Sequence, residues 1–191
     1  SPSEIASPGD LAQFILSNYA LYLRVSGQFH LIVGMLQLFG FALPETPRRY
    51  YIASTFNDFW RRINIYWKDF MMKIFYYPVF LRLRKRGGTF AIVLASVFVF
   101  VLSWLLHSFQ WFWLRGHFPL LGQDLVFWGV LGLLVVINSL WEARHGRKRS
   151  LKKKKLTLKD SATRGLMSVA VFSFMAVLWS LWTSETLGDW L

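Results

Sequence analysis

Two residues in this chain are of a type that could do chemistry where they stand. His107 lies in FVLSWLLHSFQWFW, well inside a run apolar enough to span a bilayer. An imidazole there needs a polar partner or water, so it is either a functional proton-transfer group or a neutral histidine bonded to a neighbouring helix. Asn64 lies in DFWRRINIYWKDF, a stretch dense in aromatic and charged residues. Placed on a helix, Phe56, Phe59, Trp60, Ile63, Trp67, Phe70, Met71 and Ile74 share one arc, with Asp58, Arg62, Asp69 and Lys73 opposite. That pattern predicts one amphipathic helix lying at a membrane interface. It accounts for most of the stretch but not for Asn64, which falls at the edge of the apolar arc near Trp60 and Trp67. An unpaired amide in apolar surroundings costs about 1–3 kcal/mol.

The remaining histidines carry less. His30, with Arg24 and Gln28, marks a locally polar helix end, and His117 and His145 read as solvated loop residues. The four histidines lack metal-ligand spacing such as HExxH, and the chain has no cysteine. No metal site, disulfide or cysteine nucleophile is therefore expected. There is no GxSxG elbow and no phosphate-binding loop; RKRGGTF reads as a turn before a span.

The elements that must position these residues are membrane helices. The 191 residues are 54% hydrophobic and 18% aromatic, with ten tryptophans, a composition suited to lipid rather than water. Four apolar stretches stand out. Residues 11–43 would be roughly 50 Å long as one helix, too long for a roughly 30 Å hydrocarbon core. They predict either one span bent at Ser26-Gly27 or a short helix followed by a span from about Gln28. Residues 89–114, 124–141 and 164–183 are the other three, with Trp179 and Trp182 as interface anchors at the end of the last. The expected fold is all-α: a polytopic membrane helical bundle of about four spans with an amphipathic interfacial or re-entrant helix. The opening SPSEIASPGD has neither an initiating methionine nor a signal peptide. Residues 1–191 are therefore expected to be the C-terminal part of a longer membrane-embedded domain.

The formal net charge is +12, and lysine and arginine fall in two dense blocks, ten within 48–86 and ten within 144–164. Basic residues placed between apolar runs report topology, not nucleic acid, and put both blocks on the cytoplasmic side. The second and third spans then form an out-and-back pair, with 115–123 and the tail SETLGDWL outside. The run LKKKKL belongs to the basic cytoplasmic loop 144–164 of the span pair 124–183, and reads as a solvated loop rather than an anionic-lipid patch.

Three motifs in chain order resemble the membrane-bound O-acyltransferase family, specifically its bacterial branch of alginate O-acetylation and teichoic-acid D-alanylation proteins. The first is Tyr22, Ser26, Gly27 and Gly34 followed by LFGFALPE at 38–45. The second is DFWRRINIYW, with Phe59, Trp60, Arg61 and Arg62 matching; the third is SWLLHSFQWFWLRG, in which His107 falls on the family's histidine. The likeness covers about residues 20–116. It departs at Ile63, where tryptophan is usual, and at Leu106 and Ser108 beside His107. It departs also at Asn64, where the branch carries histidine and the eukaryotic sterol and diacylglycerol acyltransferases carry asparagine.

The resemblance implies transfer of an acyl group, acetyl or another short acyl, from a cytoplasmic thioester to a hydroxyl. His107 would be the general base, and Asn64 would stabilise the thioester oxygen or orient the acceptor. Trp60, Arg61, Arg62 and Trp67 would bind substrate, with Lys68 beside them. The co-substrate would be an acyl-CoA or acyl-carrier thioester, with no bound cofactor. The acceptor would be a cell-envelope polysaccharide or lipid-linked intermediate, met among membrane lipids and an envelope partner protein in the bacterial cytoplasmic (inner) membrane. Two other readings stand beside this one: a transporter or channel subunit with Arg24, His30 and His107 as pathway groups, and a non-catalytic envelope scaffold. Geometry adds a demand. His107 is about eighteen residues, roughly 27 Å, from the cytoplasmic start of its span. To meet it, the Asn64 segment must dip inward or the span must tilt.

Overall fold

The computed structural model describes residues 5–116, 118, 122–145, 157–184 and 187–190. Every regular element among them is helical. LKKKKL, most of the basic loop and His117 lie outside the described residues.

The first helix, α1 (Pro8–Leu38), starts where Ser7 Oγ accepts the Asp10 N–H at 3.2 Å, with Pro8 at its first position. It continues as one helix through Ser26-Gly27, not as a short helix followed by a span. It stops at LFGF. Gly40 adopts φ 88°, its N–H reaches Gln37 O at 2.9 Å, and the Phe41 N–H reaches Leu36 O at 3.1 Å. These are the two bonds of a Schellman motif, and glycine takes the left-handed place because a Cβ is disfavoured there.

Among the described residues three helices are long and apolar enough to cross a membrane: α5 (Gly88–Arg115), α6 (Gly122–His145) and α7 (Leu158–Thr183). The chain is an integral membrane protein. The expected fourth span is not among them. At 31 residues α1 has the length, but Asp10, Gln13, Asn18, Arg24, Gln28, His30 and Gln37 interrupt its apolar residues. It packs along α7 instead. A capping box of Thr157 and Asp160 starts α7 at Leu158, ahead of the apolar run.

The expected single amphipathic helix is absent as well. In its place are α2 (Phe56–Ile63) and α3 (Ile65–Met71), parted by Asn64 in an extended conformation with φ −150° and ψ 101°. A π-helical turn, Met72–Tyr76, then leads into α4 (Tyr77–Leu83) and a 3-10 turn, Arg84–Arg86. The cause of the break lies in residues 44–49, which Pro44 and Pro47 bias toward extended backbone. The Arg48 N–H donates to Arg62 O at 2.8 Å, and the Ile65 N–H donates to Thr46 O at 2.9 Å. This strand-like pairing takes the backbone groups that would have carried the helix through position 64. The Tyr66 hydroxyl adds a bond to Pro44 O at 2.9 Å.

The start of α2 is fixed to α6. The Phe56 N–H donates to Asn138 Oδ1 at 3.0 Å, and Asn57 Nδ2 donates to Ser139 Oγ at 3.1 Å. Helices α5 and α6 are in tight contact at Gly132, where a Cβ would stand 3.1 Å from the Phe100 ring. At the far end of the bundle Phe127 stacks on Trp182 at 4.5 Å, and Trp182 Nε1 donates to Asp124 Oδ1 at 2.6 Å. The short α8 (Leu187–Trp190) closes this cluster, with Trp190 Nε1 donating to Ser180 Oγ at 3.1 Å.

Candidate functional site

The contacts of the broken segment, followed along α5, give its path. Trp60 rests on Phe100 at 5.8 Å, Trp67 reaches His107 at 4.9 Å, and Phe75 returns to Phe98 at 6.3 Å. The 3-10 turn Arg84–Arg86 then rejoins the start of α5. Counted from Gly88, Ser103 is roughly 22 Å and His107 roughly 28 Å along the helix axis. The segment therefore runs along α5 as far as His107 and returns toward the start of that helix.

His107 Nδ1 is 2.7 Å from Ser103 O. A carbonyl oxygen can only accept, so Nδ1 carries the proton, and when the ring is neutral Nε2 is the acceptor. Indoles stand on two sides of the ring: Trp67 edge-on at 4.9 Å and Trp128 tilted at 4.8 Å. Ser103, itself fully buried, also accepts from Trp67 Nε1 at 3.4 Å through its Oγ. Asn64 joins from the other end. Its Oδ1 accepts the Trp67 N–H at 2.9 Å and so caps α3. Asn64 and His107 are thus linked through Trp67 and Ser103, without a direct bond between them among the described residues. The arrangement is an imidazole of fixed tautomer in an indole-walled setting, with one nitrogen open for proton transfer.

The four residues expected to bind substrate separate into three places. Trp60 and Arg61 line a cavity of about 90 Å³ with Asn57, Tyr76, Ser96 and Ser139. The π-helical turn brings Tyr76 there, and Arg61 also meets Glu142 at 3.3 Å. Arg62 turns away to Asp58 Oδ1 at 2.7 Å. Trp67 stands at His107. Lys68 is bonded to Asp69, which holds that carboxyl below its ordinary pKa. The cavity is lined by neither His107 nor Asn64.

Other candidates fall elsewhere. Arg24 and His30 are exposed on α1, and no bond or ring contact among the described residues brings them to His107. Ser26 is buried, while the Tyr22 side chain lies outside what is described. His145 ends α6 and stacks on Trp141 at 5.2 Å. No metal-holding group of histidine, aspartate and glutamate occurs among the described residues.

Sequence reasoning missed Ser103, Trp128, Asn57 and the Asn138-Ser139 pair. The last carried the same mark as His107, polar side chains inside an apolar run. Ser103 is one helical turn before His107, the natural place for a partner. Trp128 had no local signal. Comparison with known proteins finds no matching family model, no matching curated protein and no matching solved structure.

Proposed function

We propose that the chain works as a membrane-bound O-acyltransferase. His107 Nε2 takes the proton of an acceptor hydroxyl as its oxygen attacks a thioester carbonyl; the carbon–sulfur bond breaks, and the proton passes from the imidazolium to the departing thiolate. One observation carries the reading: Nδ1 is committed to Ser103 O, so the nitrogen left open in the neutral ring is an acceptor. A base bonded through both nitrogens would have nothing to offer. The indoles of Trp67 and Trp128 favour the step by keeping bulk water from competing for the acyl group.

Arg61, exposed and beside the cavity that Trp60 lines, is suited to an anionic donor such as an acyl-CoA or acyl-carrier thioester. The acceptor is a cell-envelope polysaccharide or lipid-linked hydroxyl, and the setting is the bacterial cytoplasmic membrane, where the two basic blocks face the cytoplasm. The test is His107→Ala in a thioester-consumption assay on membranes. Transfer per folded molecule falls by about 10²-fold or more while membrane insertion persists; undiminished transfer removes the reading.

A further inference from the structure

We propose that Asn64 serves this site as a positioning residue, acting through the backbone of Trp67 rather than lending its amide to substrate. The kinetic arm of this inference rests on the acyl-transfer reading; the spectroscopic arm does not.

Asn64 Oδ1 is already engaged by the Trp67 N–H at 2.9 Å. That bond caps α3 directly after the break, so it fixes how the first turn of α3 leaves the extended residue. Trp67 sits in that turn. Its ring then makes the edge contact to His107 at 4.9 Å, and its Nε1–H donates to Ser103, the residue whose carbonyl holds His107 Nδ1. Every link from Asn64 to the imidazole runs through this one tryptophan. Without the cap, the break itself persists, because the Thr46–Ile65 bond does not involve the Asn64 side chain. What is lost is the aim of Trp67. The His107 ring can then turn off Ser103 O and exchange Nδ1–H for Nε2–H, which closes the open acceptor.

Substitutions at one position separate the two roles. Aspartate and serine supply a cap acceptor but no amide donor. Glutamine supplies the amide, but its extra methylene carries the acceptor past the Trp67 N–H. The experiment uses the full chain in lipid nanodiscs with ¹⁵N-labelled histidine, the His107 resonances being assigned by their loss in His107→Gln.

The expected result is that wild type, Asn64→Asp and Asn64→Ser show His107 protonated at Nδ1. Asn64→Gln and Asn64→Ala then shift toward protonation at Nε2. Transfer stays within about threefold of wild type in the first two variants and falls about tenfold or more in the others. The proposal is overturned if Asn64→Gln keeps both the wild-type resonances and transfer. It is overturned equally if Asn64→Asp loses transfer with its resonances intact, because the amide itself is then the working group. Should His107→Ala retain transfer, the acyl-transfer reading falls, and the resonance pattern still decides the role of Asn64.

Discussion

Trp128 has two sides, and the molecule treats them differently. Toward α5 its ring meets His107 at 4.8 Å, in a region where the imidazole Nε2 and the Asn64 Nδ2 form no hydrogen bond among the described residues. Toward α7 it meets Trp182 at 6.1 Å, in an aromatic cluster crossed by hydrogen bonds. There Trp182 Nε1 bonds Asp124 and Gln123 Nε2 bonds Ser184 O at 3.2 Å. The same residue types build both regions. The difference is in how particular polar side chains are bonded. On the α7 side the Trp182 indole and the Gln123 amide are both bonded within the protein. On the His107 side one imidazole nitrogen is left without a protein hydrogen bond among the described residues.

The contrast can be broken from its shared member. Trp128→Ala strips a wall from both sides, and is expected to lower stability by about 3–5 kcal/mol and to reduce acyl transfer per folded molecule. Denaturant unfolding in detergent measures the first and single-turnover kinetics the second; normal transfer would show that the His107 side does not need this wall. Asp124→Ala sharpens the comparison from one side alone. Removing the acceptor of the Trp182 indole should cost about 1–3 kcal/mol, with the His107 resonances and transfer per folded molecule unchanged. Arg61→Ala touches neither region. Its exposed pair with Glu142 predicts a stability change under about 0.5 kcal/mol, and its effect should appear as a raised KM for the thioester.

What could be read in advance follows from where the physical causes lie. His107 was legible because a titratable ring in an apolar run is conspicuous on its own, and the helices α5, α6 and α7 because length and hydropathy are local properties. Residues 11–43 misled because their many aliphatic and aromatic residues outweigh, on inspection, the amides and charges spread among them. The break at Asn64 was hidden for a different reason. The apolar period of 3.6 continues on both sides of it, and the groups that interrupt the helix belong to Thr46 and Arg48, brought there by a tertiary pairing. Trp67 was read as one member of a continuous apolar arc, whereas its contact with His107 comes from the tertiary fold.

The crossing at Gly132 has a reach beyond the two helices that meet there. Phe100 fills the space a Cβ at Gly132 would need, and its ring also meets the Trp60 indole at 5.8 Å. The phenyl ring thus touches both α6 and the segment that carries Trp60. The seating of the inserted segment is thereby gauged from across the bundle, by a position that contributes no atoms beyond backbone.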